Sequence, residues 1–175
     1  MATWKIDPSH TVVQFTVRHL VISKVKGRFT KFEGGIEFDP SAPAAGGKVE
    51  VKIDPASIDT GEPKRDGHLR SPDFFDVEKF PALTFKSTSF AAKGGGHYAI
   101  AGDLTIHGVT KPVELTTEYL GAGKDPWGGQ RVGFSAHTAI DRKDFGLTWN
   151  QALEAGGVLV GDKINIELEV QAVAA

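Results

Sequence analysis

The chain has 175 residues with a formal net charge of -2, enough for one domain over residues 1–175 to bury its own core, and with no global pull toward nucleic acid. It contains no cysteine, which excludes a disulfide framework, a thiolate metal site and a cysteine nucleophile. No apolar run approaches the roughly 20 residues that span a bilayer as a helix, so any membrane contact is expected to be peripheral. The opening MATWKIDPSH has no basic segment, apolar core or cleavage site of a secretory signal, and the expected location is the cytoplasm.

Glycine and proline punctuate the chain into short segments, as in Gly46-Gly47, Gly94-Gly95-Gly96, Gly128-Gly129 and Gly156-Gly157, a spacing that favours many strands over long helices. After a short first strand, Asp7, Pro8 and Ser9 are expected to turn the chain, with the Asp side chain bonding nearby backbone donors. From Thr11 to His19 the residues alternate, with Val13, Phe15, Val17 and His19 on one face and Val12, Gln14, Thr16 and Arg18 on the other. Val25, Gly27 and Phe29 continue the pattern. Then Phe32, Ile36 and Phe38 reverse its parity, which calls for a bulge or kink within residues 30–35, made easy by Gly34-Gly35.

Val49, Val51 and Ile53 interleave with Lys48, Glu50 and Lys52 in the clearest strand. Alternation then stops. Ser71-Pro72-Asp73 reads as a helix N-cap, a first-turn proline and an acidic first turn, so one or two short helices are expected before Pro81. Leu69, Phe74 and Phe75 would be the apolar feet of a cover over one end of the sheet. Strand patterns resume at Leu83 and Phe85, at Tyr98, Ile100, Gly102, Leu104 and Ile106, and at Val113, Leu115, Thr117 and Tyr119. A tight turn at His107-Gly108-Val109-Thr110 joins the last two as a hairpin. Val132, Phe134, Ala136, Thr138 and Ile140 form one further inner face, and Ile164, Ile166, Leu168 and Val170 another. Between them, residues 149–155 can make a helical turn ended by Gly156-Gly157.

One apolar and one polar face per strand, with hairpin-length links, indicate antiparallel pairing. The fold class is all-β: an eight-stranded antiparallel barrel with one or two short helices covering one end. Bulky Phe15, Phe29, Phe85 and Phe134 alternate with small Gly27, Ser87, Gly102, Ala136 and Thr138. Periodicity leaves a cavity and a filled core equally open.

Four blocks carry a more specific signal: WKIDPSHTVVQFTVRHLVISKVKGRFTKFEGGIEFD, KRDGHLRSPDFFDVEKFPALTFKSTSF, GDLTIHGVTKPVEL and DRKDFGLTWNQALEAGGVLVGDKINIELEV. In order and spacing, from Trp4 to Val170, they resemble the YceI-like family of lipocalin-like barrels. The resemblance implies an interior that takes the tail of a polyisoprenoid amphiphile, a prenylated quinone or a polyprenyl phosphate, with the head near an opening. It implies no catalysis, no metal and no cofactor. Many family members are exported behind a signal peptide, whereas this sequence starts at the first strand.

On that reading the tail contacts are Val13, Phe15, Val17, Phe29, Phe85, Ile100, Leu104, Ile106, Leu115 and Phe134. The head or rim candidates are Arg18, His19, Arg142, Trp149 and Asn150, with His10, Asp141 and Lys143 nearby. Arg142 and Lys143 are suited to a phosphate or a quinone carbonyl, but exposed-charge chemistry favours solvated turn residues. His19 shares the inward parity, where a histidine is more often a hydrogen-bonded core residue than a ligand contact. Trp149 fits either a stack on the head or a wedge against the rim.

A His/Asp enzyme is disfavoured, because there is no H-E-x-x-H, no G-x-S-x-G and no telling carboxylate pair, and a metal on His10 and His19 lacks a third ligand. A structural or stress-related protein with a filled barrel is the remaining alternative. A homodimer is compatible with each reading, with Val12 and Leu120 as the apolar residues on otherwise polar faces.

Overall fold

The computed structural model describes residues 2–19, 23–150 and 160–175. The alternating segments form strands β1 (Thr3–Ile6), β2 (Val12–His19), β3 (Ser23–Phe29), β4 (Phe32–Phe38), β5 (Gly47–Ile53), β6 (Ile58–Asp59), β7 (Leu83–Gly94), β8 (His97–Ile106), β9 (Val109–Lys124), β10 (Gln130–Asp141) and β11 (Val160–Ala174), with one α-helix, α1 (Pro63–Arg70). Every pairing is antiparallel. The order β1-β4-β5-β7-β8-β9-β10-β11 closes on itself because β11 also pairs with β1, Trp4 lying opposite Ala174 and Ile6 opposite Ala172. This is an eight-stranded closed barrel, as the hydrophobic pattern predicted.

Two of its staves are broken, and this is how the parity reversal is resolved. β2 continues β1 along β11, and β3, the partner of β2, leads into β4, the partner of β1. The first break is a 3-10 turn at Pro8–His10, capped by Asp7, whose side chain accepts from the Ser9 amide. Across it the Thr11 hydroxyl donates to the Gln171 carbonyl and accepts from the Gln171 amide, both at 3.1 Å, standing in for a missing ladder pair. The second break is at Thr30-Lys31, where both amides donate to the Ser57 hydroxyl, at 3.1 and 3.0 Å. It falls inside the predicted window, but not at the glycine pair. Gly34 serves close approach instead: a Cβ there would lie 2.5 Å from the Glu50 carbonyl oxygen.

The predicted helix start at Ser71 is a helix end. α1 begins at Pro63 behind Glu62, and Ser71 is its C-cap, its amide and hydroxyl both donating to the His68 carbonyl. Ser71 still offers its hydroxyl to the Asp73 amide at 3.3 Å, but Asp76 at φ 48° lies in the left-handed region and a helix cannot propagate through it. The chain from Ser71 to Phe80 is therefore a run of turns. The β8–β9 hairpin turns on His107 and Gly108, both with positive φ, with Ile106 opposite Val109. The helical turn expected over residues 149–155 falls mostly outside the described residues. Val12 and Leu120 are exposed, and Trp127, in the β9–β10 turn, is more so at 85%.

One end of the barrel is sealed. Phe38, fully buried, has the rings of Tyr119 at 4.9 Å, Phe134 at 5.2 Å, Phe90 at 6.0 Å and Tyr98 at 6.1 Å around it. Most of these contacts are edge-to-face, the arrangement aromatic quadrupoles favour. Trp4 closes the same end by donating its indole N–H to the Phe38 carbonyl at 2.9 Å. The other end is covered by α1, the turns after it and the Arg142–Phe145 3-10 helix.

Arg131 fastens the sealed end. It donates to Asp7 at 2.8 Å, to Gln171 at 2.9 Å and to Asp125 at 3.0 Å, tying the first break to β11 and to the β9–β10 turn. Its side-chain hydrogen bond, followed by those of Ser9 and His10, holds the Asp7 carboxyl well below the usual carboxylate range. A depressed folded-state pKa contributes stability at pH values above the unfolded value near ~4, and this is lost as pH falls through the folded value. Asp7→Asn keeps the capping oxygen and removes the charge. It should cost about 1 kcal/mol at pH 7 in urea unfolding, and the gap to wild type should close in acid, below about pH 4.

Candidate functional site: an apolar cavity within the barrel

The barrel encloses a cavity of about 240 Å³ whose exposed wall is apolar throughout. The interior is therefore not solid, which decides between the two outcomes that periodicity left open. Two clusters of buried side chains bound it. One centres on Phe38 and Phe134 at the sealed end, the other on Phe29, Ile58 and Phe145 at the covered end. All ten residues predicted as tail contacts lie on the cavity wall. Polar residues reach it with their carbon atoms only. Thr117, for one, is buried with its hydroxyl bonded to the Leu115 carbonyl at 3.2 Å.

The small inner-face residues do two different things. Gly27 and Gly102 make room for a neighbouring ring, not directly for a ligand. A Cβ on Gly27 would sit 2.4 Å from Cζ of Phe15, and one on Gly102 would sit 2.5 Å from Cζ of Phe85, so each glycine receives a ring. Ala136 and Thr138 do leave room, and both line the cavity. Ser87 lies at a register shift in β7, where its hydroxyl accepts from the Val49 amide at 2.9 Å. That shift turns Phe90 inward, and Phe90 was missed by the sequence reading. An aromatic residue of the wrong parity after Phe85 was the available signal, of the same kind that marked the break near Thr30.

Leu69, Phe74 and Phe75 line the cavity from the cover, as expected of its feet. His68 and Phe74 pack against Trp149, with ring centroids 4.6 and 5.4 Å away. Trp149 thus wedges the loop after β10 against α1 and the turns that follow.

The polar rim candidates are placed differently from expectation. Arg142 is not a solvated turn residue: it is 2% exposed. Its Nε donates to the Gly161 carbonyl at 3.0 Å, Nη1 to Leu147 at 2.6 Å and Trp149 at 2.9 Å, and Nη2 to Val160 at 3.4 Å while facing Asp162 at 3.5 Å. These contacts engage all three nitrogens, so the guanidinium is a brace across the loop. Burial pulls its pKa below the ordinary range, opposed by Asp162 and Asp141. Asn150 is committed in the same way, donating to the Val160 carbonyl at 2.7 Å and accepting from its amide at 3.0 Å. Lys143 is the solvated residue of the pair, beside Asp162 at 3.2 Å. Asp141 caps the 3-10 helix by accepting from the Lys143 amide, and His10 pairs with Asp7 at the opposite, sealed end. Arg18 is on the outer face of β2, opposite Lys24. The side chain of His19 lies outside the described part of the molecule. No group of three potential metal ligands occurs among the described residues.

The profile of the YceI-like domain matches residues 4–172. A UPF0312 protein of Vibrio cholerae serotype O1 is 48% identical over 139 residues, which is 79% of this chain and 73% of that one. The crystal structure of the Campylobacter jejuni YCEI protein superposes with a TM-score of 0.77 at 35% identity, over 90% of each chain. A polyisoprenoid binding domain from Saccharophagus degradans has the same fold, with a TM-score of 0.74 at 15% identity over the whole of both chains.

Arg142 should be the costliest rim residue to lose. Arg142→Met keeps most of the volume but leaves the carbonyls of Leu147, Trp149 and Gly161 without this donor, so urea unfolding should show a loss of about 3–5 kcal/mol. Lys143→Met, at an exposed site, should change stability by less than about 0.5 kcal/mol.

Proposed function

The chain belongs to the YceI-like domain family, and from that premise we propose that it is a non-enzymatic carrier holding an isoprenoid lipid, of the prenylated quinone or polyprenyl phosphate type, inside its barrel. The observation that carries this reading is a fully apolar wall around the space inside the barrel. A prenyl chain has no hydrogen-bonding group, so its site needs length, apolar walls and no unsatisfied polar atom. The ten inward residues from Val13 to Phe134 are the proposed tail contacts. The name of the Saccharophagus degradans domain points to the same ligand class.

Energetics suit transfer better than storage. Each carbon removed from water is worth about 0.8 kcal/mol, hence about 4 kcal/mol for each isoprene unit. In a bilayer the tail is already out of water. Moving it into the barrel therefore changes the free energy little, and the step is reversible. Arg142 and Asn150 serve by shaping the rim, and Trp149 by holding the cover.

Native mass spectrometry of freshly purified protein, followed by organic extraction, tests this. One prenyl lipid per chain is expected. Ala136→Phe, which fills the cavity with a ring, should weaken binding of a prenyl quinone at least about tenfold, equivalent to excluding two methylenes. A protein that is empty as purified, and takes up neither prenyl quinone nor prenyl phosphate on incubation, would rule the carrier out.

A further inference from the structure

The barrel wall is not zipped along its whole circumference. β9 pairs with β8 along its first half, and β10 pairs with β11 to its very end. Between β9 and β10, however, the ladder stops at Thr116 opposite His137. From there to the covered end the two strands splay, and the backbone groups of residues 112–115 and 138–141 that would meet have no ladder partner across the gap. Pro112, which has no N–H to give a neighbouring strand, lies in the splayed stretch.

A recess opens on the outside of this seam. Val113, Thr138 and Ile140 line both the recess and the internal cavity, so a single layer of side chains separates the two spaces. Phe145, 1% exposed, folds back from the 3-10 helix to stop the gap. Thr138 makes no side-chain hydrogen bond among the described residues, leaving a free hydroxyl at the junction. The charges around the recess are Lys111 against Glu114, Asp141 and Asp144, an excess of negative charge.

Building on the carrier reading, we infer that this seam, stopped by Phe145 and one layer of side chains, is the place in the wall where the polar end of the bound amphiphile sits while its apolar chain occupies the interior. Splayed backbone groups and the Thr138 hydroxyl offer hydrogen bonds to an uncharged head. The acidic lining works against an anionic one. The rim at the covered end is less suited to the task, because Arg142 and Asn150 there spend their polar atoms on the main chain.

Farnesol carrying a diazirine at its hydroxyl end, bound to the full chain and photolysed, locates the head by peptide mapping. Labels within residues 109–114 and 138–145 are expected. Labels on Arg18 or Trp149, with binding intact, would overturn the seam and leave the carrier standing. If the probe does not bind at all, both readings fall. An independent measurement compares farnesol with farnesyl phosphate by native mass spectrometry. Thr138→Val should weaken farnesol about five-fold, the worth of one hydrogen bond. Glu114→Gln with Asp144→Asn should strengthen the phosphate about five-fold. Ratios untouched by both changes would place the head elsewhere.

Discussion

The structure depends on one pairing, that of β11 with the two halves of the broken first stave. β11 meets β10 along one edge; on the other it meets β2 from residue 160 to 169 and β1 from 172 to 174. Without this closure the sheet would have two open edges and an apolar face in water. With it, the face becomes an interior. The junction is demanding, since a ladder cannot continue through Pro8. It is held by the Thr11 hydroxyl on Gln171, by the Asp7 amide donating to the Gln171 carbonyl at 2.8 Å, and by Arg131 from the neighbouring strand.

Closure alone does not make a container, because an eight-stranded barrel can also fill with its own side chains. Here Phe38, Phe90, Tyr98, Tyr119 and Phe134 are gathered at one end, and glycines at positions 27 and 102 let Phe15 and Phe85 lie back against the wall. That leaves the middle open. The two ends then differ in kind. The sealed end is packed aromatic against aromatic and fastened by Arg131. The covered end is a set of short segments held by capping bonds, by Trp149 against His68 and Phe74, and by Arg142 spanning residues 147 to 161. Local opening is expected where short segments and caps carry the structure, and this is the end where the wall is also unzipped.

Parity was the informative signal along the chain. It placed the inner faces of β2, β3, the first part of β7, β8, β9, β10 and β11, and with them all ten predicted wall residues, because period-2 alternation is fixed by the pleat itself. It also detected the break near Thr30 from the switch between Phe29 and Phe32. It failed at Phe90, where a bulge at Ser87 moved the inward register by one. Cap signals were less reliable: Ser71-Pro72-Asp73 has the composition of a helix start, yet the same hydroxyl ended the preceding helix, since Ser serves local backbone bonds at either terminus.

The sequence by itself determined the barrel class, the faces of the strands and the apolar character of the interior, all of which follow from residue-by-residue alternation. Only the tertiary structure decided whether that interior was full or empty, where Arg142 and Asn150 spend their hydrogen bonds, and that β9 and β10 part company beyond Thr116. Each of these depends on which residues meet across strands distant in sequence. Side-chain alternation specifies a direction, inward or outward, but it does not specify the partner found there.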